Sequence, residues 1–562
     1  MRPIPHARHA AAVVVFVGVA AFYGVLAAID PDPSDCQVSL ATAALKAADP
    51  SLFPADPLFG RPASVLSISP VFVDNLRLLW PKVGGDPLLP LRLLVGPLVL
   101  LYGLSMYALL YRQCQSWSIA AFVAVLSTVV IEALGGSAWG IGTLASGSPA
   151  GLTMALTPLI VLALLDTVDQ SAPVWRLLGI FLLVGLLGRF DSDWTINMAL
   201  VLAGVYVARQ RFTPIAYLTA AACLVLAVAV ALPQISLGVN ARLIASSGAE
   251  SARSIGRLLR EGDGALLYPQ AMRALPEWLL WAVPLAIPTL VVLSQVDRFR
   301  VPFVGFWVAF AVSAATVALV FQTASQLVGL ATGMIPPLIG FVQASCFLML
   351  PLYALFAQAL TSLFRLTRGH YGLMRAACTV AAVAWLLPSA NLGPARRATY
   401  DAASVLLSEE NKPRRLRKLL ETASRDAELQ AIARWAESHT PPDAVFLTDR
   451  SDFRLLSHRA IVAGEGDGCA LRFGNLSLLA DWQQRLAHQN QLLHPVSGKA
   501  DPAAISQFVG ELSSREPFTN TNGNGSAWYI LLSVSAAPEG SSILTEQTSG
   551  DWGKFYKVYC IK

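Results

Sequence analysis

Residues 30–60 hold five carboxylates, Asp30, Asp32, Asp35, Asp49 and Asp56, three of them in the run Asp-Pro-Asp-Pro-Ser-Asp. The segment follows directly on an apolar run, residues 11–29, so these acids stand at or near the edge of a bilayer, where charges are costly unless they are used. A carboxylate beside an apolar body is partly desolvated; its pKa rises and it can act as a general base near neutral pH. Two or three carboxylates can also take a divalent cation through oxygen, although no spacing here matches a defined metal loop. A structural reading competes. Asp35 can cap a helix over 38–48, Asp49-Pro50 can end it, and Asp49-Pro50 and Asp56-Pro57 can open turns. Asp30 and Asp32 precede any helix and stand where the apolar run stops, so the chemical reading falls first on them.

A second acidic feature is Arg189-Phe190-Asp191-Ser192-Asp193-Trp194. Asp191 and Asp193 are two apart and share one side of an extended segment, and Arg189 has the paired donors that hold a phosphate. The plainer reading is an interfacial turn in which Arg189 pairs with Asp191 and Trp194 anchors at the head-group level. Glu132, just before Gly135-Gly136, reads either as a site residue or as a polar helix end. Farther on, Arg253, Arg257 and Arg260 are spaced by four and three, which aligns them on one face of a helix over 250–260, with Ile255, Leu258 and Leu259 on another. That pattern suits a helix lying on lipid phosphates, and Arg253 and Arg257 are candidates for gripping a phosphorylated lipid.

The elements that carry these residues are set by composition. With 55% hydrophobic and 14% charged residues over 562, the chain holds more apolar material than a soluble fold can hide, so it is read as an integral membrane protein. The net charge of +5 is small and spread out, and no basic run is interleaved with aromatics, which argues against nucleic acid as a partner. Apolar runs at 11–29, 88–111, 117–134, 151–165, 174–188, 195–208, 214–232, 276–293, 302–322, 334–363 and 373–388 predict about eleven spans. Short loops carrying Arg112, Arg176, Arg209, Arg211, Arg298, Arg300, Arg365, Arg368 and Arg375 alternate with loops that lack Lys and Arg, 135–150 and 323–333. The positive-inside rule then places the N-terminus in the cytoplasm. Residues 30–87, 233–275 and everything after 389 fall outside, in an inner (plasma) membrane protein with an uncleaved first span.

Past residue 390 the composition changes. Residues 391–428 read as a basic helical connector, and 429–562 as a small α/β layer. Its helices are expected at 429–438, 476–492 and 502–513, and its strands at 444–448, 460–463, 528–534 and 555–561. Gly464-Glu465-Gly466-Asp467-Gly468 lacks the following helix that a dinucleotide loop needs. Cys114, Cys223, Cys346 and Cys378 fall in or beside apolar runs, whereas Cys36, Cys469 and Cys560 fall outside, where disulfides are permitted. Cys469 and Cys560 share the terminal domain and are expected to pair. None of the seven has metal-site spacing.

One apolar span, an acidic outer loop, many further spans and an outer C-terminal domain resemble the GT-C class of membrane glycosyltransferases. More narrowly, Asp49-Pro50-Ser51-Leu52-Phe53-Pro54-Ala55-Asp56-Pro57, Thr440-Pro441-Pro442-Asp443-Ala444-Val445-Phe446-Leu447 and Phe453-Arg454-Leu455-Leu456-Ser457-His458-Arg459-Ala460 are similar to bacterial multi-span proteins of GT-C-like layout. That resemblance implies transfer of a sugar from a polyprenyl-phosphate donor to a lipid or cell-envelope glycan. It also implies an acidic first-loop residue as base or metal ligand, a role carried to Asp30 or Asp32, with Asp56 next. Asp-Pro-Asp-Pro departs from the acidic pair of those enzymes. Two other readings stand beside this one: a non-catalytic envelope protein on the same frame, and a transporter or flippase of lipid-linked material. The last is disfavoured by the lack of an internal repeat and the scarcity of charge inside spans.

Overall fold

A computed structural model describes residues 6–29, 33–60, 69–79, 88–134, 137–170, 173–245, 274–294, 303–332, 340–366, 371–406, 414–468, 471, 478–495, 498–513, 527–538, 543–547 and 552–561. The chain divides into two compact units. The first holds Met1–Pro31, Leu91–Ser236 and Ala252–Pro394; the second holds Asp32–Pro90, Leu237–Ser251 and Ala395–Lys562. Residues 32–60 of the acidic loop therefore belong to the same unit as the C-terminal residues, and the last change of unit falls between Pro394 and Ala395, close to the change of composition at 390.

The first unit is helical. Arg8–Ile29, Leu89–Cys114, Pro149–Asp169, Pro214–Leu237, Val304–Val328 and Phe341–Arg365 are long and apolar enough to cross a membrane, and the broken pair Ala376–Leu386 and Ala390–Tyr400 makes a seventh if taken as one span. The remaining expected spans fall on shorter helices. Trp117–Leu126, Val174–Leu187 and Leu275–Val291 are apolar but short, and Ser192–Arg209 has 18 residues. Among the described residues, six helices, or seven with the broken pair, thus meet the length and apolarity of a span, against the eleven or so expected. The span expected to end at Leu232 instead continues through Pro233 as the helix Pro214–Ala245.

The largest local departure follows Trp117–Leu126. At 1.5 Å per residue, ten helical residues rise only about 15 Å, half of a bilayer core of about 30 Å. The chain continues not as helix but as the two-stranded antiparallel pair β1 (Ile131–Glu132) and β2 (Ala138–Trp139), with Gly140 and Gly142 at positive φ. Irregular backbone in an apolar body must find its hydrogen bonds within the protein. Asn391 supplies three of them: its Nδ2 donates to the carbonyls of Thr128 and Ile141, both at 2.9 Å, and its Oδ1 accepts from Val130 N at 2.9 Å. The Tyr102 hydroxyl donates to Ser127 O at 3.0 Å. Ser148 then starts the next helix, accepting from Gly151 N at 3.2 Å with Pro149 in the first turn.

In the second unit, β3 (Val445–Leu447), β4 (Ala460–Ile461), β5 (Trp528–Ser533), β6 (Leu544–Gln547) and β7 (Tyr556–Ile561) form one sheet in the order β4-β3-β5-β7-β6. β4, β3 and β5 run parallel; β7 is antiparallel to both β5 and β6. Every strand expected from the sequence is present, and β6 is additional. Among the described residues after 410, the helices of this unit include Arg414–His439, Leu479–Leu493 and Pro502–Ser513, with a short Asp452–Ser457 between β3 and β4. One side of the sheet packs Val445, Leu447, Ile530 and Leu532 against Ile505, Phe508 and Leu512, with Ala55 of the acidic loop in the same cluster. The other side packs Phe446, Leu531 and Val558 against Leu429, Ile432, Ala433 and Ala436. Burial of such side chains stabilises by about 1.5–3 kcal/mol each.

Candidate functional site

Local chemistry explains how the acidic loop folds. The helix Asp35–Ala48 starts at Ser34, whose N–H donates to Gln37 Oε1 at 3.0 Å, so Ser34 and not Asp35 is the cap. Asp49 ends the helix in an extended conformation, its Oδ1 accepting from the N–H and the hydroxyl of Ser51 at 2.9 and 2.6 Å. Those bonds hold its carboxyl below the usual range. Lys46 turns back on the loop and donates to the carbonyls of Pro50 and Leu52 at 2.8 and 2.6 Å. Burial lowers its pKa, against the pull of Asp56 and Asp49.

Asp56 is closed off completely. Its relative exposure is 0%, with Arg454 at 1% and Asp467 at 3%. Arg454 Nε donates to Asp56 Oδ2 at 2.6 Å, and its two terminal nitrogens donate to the two oxygens of Asp467 at 2.7 and 3.0 Å. Asp56 Oδ1 also accepts from the N–H groups of Leu58 and Phe59 at 3.0 and 2.9 Å, and Oδ2 from Ile461 N at 3.3 Å. Gly464 N donates to Asp467 Oδ2 at 2.9 Å, and the Phe59 ring lies under the guanidinium at 4.8 Å. Burial opposes the Arg454 charge, but Asp467 and Asp56 more than reverse this and raise its pKa above the ordinary guanidinium value. In this arrangement Asp56 faces protein on all sides. Its carboxylate is engaged by an ion pair and three backbone N–H groups, which leaves no approach for a substrate.

The ends of the parallel strands are occupied in the same way. In open α/β sheets a ligand crevice forms at the carboxyl ends of the strands. Here Arg485 donates to Val462 O there, and Gln489 Nε2 donates to Thr448 O and Ala463 O at 2.8 and 2.9 Å. The glycine-bearing loop 464–468, which the sequence excludes as a nucleotide loop, supplies Asp467 to the ion cluster.

In the first unit, Asp191 caps the helix Ser192–Arg209, its Oδ1 accepting from Trp194 N at 3.0 Å. The expected pairing of Arg189 with Asp191 is replaced by a bond from Arg189 Nε to Val230 O at 3.4 Å, with Arg189 exposed. Trp194 is not a surface anchor. It is buried and packs edge-on against Phe347, 6.4 Å between ring centroids. Asp193 is buried on the same turn, and Asn197 Nδ2 donates to Asp193 O and Gly340 O at 3.0 and 3.1 Å. Trp194 Nε1, Asn197 Oδ1 and Ser345 Oγ are buried polar atoms with no hydrogen-bond partner among the described residues.

Glu132 lies exposed on β1. Asp30, Asp32, Arg253 and Arg257 lie outside the described residues, as does the helix expected over 250–260. Among the described residues, no group of three or more His, Cys, Asp or Glu is placed to hold a metal ion. The expected Cys469–Cys560 bond is not formed. Cys560, within the β5-β7-β6 ladder, carries a thiol, and it is Cys36 of the acidic loop that is disulfide-bonded. Membership of one sequence segment had joined Cys469 and Cys560; the fold brings a third, distant cysteine, Cys36, into the same unit.

Sequence reasoning did not single out Arg454 and Asp467. The available signal was an arginine flanked by Phe453, Leu455 and Leu456, since such a residue inside an apolar helix requires an acidic partner.

Residues 427–465 match the profile of a family described as a domain of unknown function (DUF6798). The matched residues run from the helix Arg414–His439 through β3 and β4 and include Arg454. No curated protein matches the chain.

Proposed function

We propose that the chain is a multi-pass plasma-membrane glycosyltransferase of GT-C-like layout. In this reading it moves a sugar from a polyprenyl-phosphate donor to a lipid or envelope glycan on the extracytoplasmic side. The observation that carries the reading is the inward-facing polar set at the head of Ser192–Arg209. Buried Asp193, Trp194 and Asn197 face a segment containing Ser345, and Trp194 Nε1, Asn197 Oδ1 and Ser345 Oγ lack partners among the described residues. An unpaired buried polar atom costs about 1–3 kcal/mol, and the hydroxyls of a sugar entering between the two segments would recover that cost. Asp30 or Asp32 serves as the base that deprotonates the acceptor. Exposed Arg189 has donors beyond its bond to Val230 O, and with Arg253 and Arg257 these can hold the leaving phosphate. The disulfide at Cys36 supports an extracytoplasmic acidic loop, and hence a cytoplasmic N-terminus, because disulfides persist in oxidising compartments. Each of the eleven apolar runs falls on helix over at least part of its length, which is compatible with a larger span count than length alone admits.

The test is complementation. Cells lacking the chain are compared with cells given back wild type, Asp30→Asn, Asp32→Asn or Asp193→Asn. Envelope glycans and lipid-linked sugars are profiled by mass spectrometry at matched membrane levels of each protein. Wild type is expected to restore a sugar that the Asp30 or Asp32 variant and the Asp193 variant do not; full restoration by all three variants removes the assignment. The enclosure of Asp56 favours a second reading, a non-catalytic envelope protein on this frame. Under that reading loss of the chain leaves the glycan profile unchanged.

A further inference from the structure

We infer that the C-terminal α/β unit is a split domain, completed by residues 33–60, and that Arg454 is the residue that selects and holds this distant segment. The argument starts at the sheet edge. β4 is the outermost strand among the described residues, where it pairs with β3 alone. Val462 N points to β3, donating to Phe446 O at 3.1 Å, so the alternate N–H, that of Ile461, points away from the sheet. An edge N–H is a site for unwanted pairing unless something covers it. Asp56 accepts it, at 3.3 Å, while bonding Arg454 with the same oxygen. Arg454 sits on the short helix that connects β3 to β4 and is 1% exposed. Without Asp56 its guanidinium would keep Asp467 but lose its second acid and the loop that lays Phe59 beneath it.

Two further contacts fasten the same segment: Ser39 Oγ donates to Gly466 O at 3.1 Å, and Ala55 enters the hydrophobic cluster of the sheet; Cys36 of the segment is disulfide-bonded. Lys46 closes the segment on itself through Pro50 and Leu52, giving the loop a fixed shape to present. The consequence concerns the matched segment 427–465. Arg454 and Ile461, the two residues that receive Asp56, lie within it, and Asp56 lies far outside it, so this segment acts as a receptor for an Asp-bearing loop of its own chain. The assignment is independent of any sugar transfer.

The experiment uses the full-length protein in its membrane, with a specific protease site inserted between residues 407 and 413. After cleavage, the fragment beginning near residue 414 is followed between membrane pellet and supernatant. Uncut chain reports expression and folding of each variant. In wild type the fragment is expected to stay with the membrane both before and after reduction with dithiothreitol, since the ion cluster holds when the disulfide is opened. In Asp56→Asn it is expected to stay before reduction and to be released at least about tenfold faster than wild type after it. A milder variant, Asp56→Glu, keeps the charge and is expected to fall between the two. Release of the unreduced wild-type fragment overturns the split domain, and equal retention of wild type and Asp56→Asn after reduction overturns the role of Arg454.

Discussion

Removing the cation from the buried cluster is the most severe single change the structure offers. Arg454→Met roughly keeps the volume and deletes the three nitrogens that donate to Asp56 and Asp467. Asp56 retains the N–H groups of Leu58, Phe59 and Ile461, but Asp467 retains only Gly464 N, and two carboxylates at 0% and 3% exposure face each other without a counter-charge. Breaking a buried ion pair from one side costs about 3–5 kcal/mol. At 1.36 kcal/mol per decade, this corresponds to roughly two to four decades in the open fraction of the C-terminal unit. Asp56→Asn removes the other kind of charge and leaves the bidentate pair of Arg454 with Asp467, so it is expected to cost less, about 1–3 kcal/mol. Because the three groups act as one cluster, the triple change Asp56→Asn, Arg454→Met, Asp467→Asn is expected to cost less than the sum of the single changes. The effect has a definite pH signature. The folded pKa of Arg454 is raised, and a base with a raised folded pKa stabilises fully below its unfolded value. Its contribution is therefore flat from neutral pH through the moderately alkaline range, since the guanidinium of the unfolded chain also stays charged there. Pulse proteolysis of full-length protein in nanodiscs across a urea series, with an antibody to the C-terminus, reads the open fraction directly. A shift below about 0.5 kcal/mol for Arg454→Met, the range of an ordinary surface substitution, refutes the reasoning. So does a larger loss for Asp56→Asn than for Arg454→Met.

Other expectations follow from single features. A digest of non-reduced protein is expected to return one cross-linked peptide pair that contains Cys36 and lacks Cys560; a cross-linked Cys560 peptide contradicts the fold of the β5-β7-β6 ladder. Gly185 lies on Val174–Leu187, where a Cβ would stand 2.7 Å from Ala227 O and 2.9 Å from Val230 Cβ, whereas a Cβ on Gly179 of the same helix meets nothing within 4 Å. Gly185→Leu is therefore expected to lower the melting temperature of the solubilised protein, at a cost of about 1–3 kcal/mol. Gly179→Leu should leave it unchanged, and equal effects would remove the close helix contact. Lys46 is a base with a lowered folded pKa, so between that value and its ordinary one near 10.5 the unfolded chain binds more protons and stability rises with pH. Melting of the C-terminal unit from pH 8 to about pH 9.5, below the ordinary tyrosine pKa, should rise in wild type and stay flat in Lys46→Met; a rise in both assigns the effect to another group.

What the sequence revealed and what it hid separate along one physical line, the range over which a residue acts. Propensity, periodicity and caps are local, and they placed the helix Pro502–Ser513, the strands around Val445, Trp528 and Tyr556, and the turns at Asp49 and Asp56. Length is local too, yet it misled at residues 117–134, because hydropathy does not register that Asn391, some 260 residues on, satisfies the backbone at Thr128, Val130 and Ile141 and so permits the chain to leave the helix. The same failure governs the acids. Read alone, Asp56 in Asp-Pro-Leu-Phe is either a turn or a base at a membrane edge, and both readings follow from its neighbours. Its partner Arg454 lies 398 positions away. Arg454 in turn looks like an error inside Phe-Arg-Leu-Leu until its two carboxylates are found. Each residue, incomplete by itself, is the signal for the other: an arginine where helix periodicity calls for an apolar side chain implies a buried acid elsewhere in the chain, and a turn aspartate followed by apolar residues is a candidate for that acid. Under that constraint Asp56 belongs to the architecture of the α/β unit, which leaves Asp30 and Asp32 for the base role proposed above.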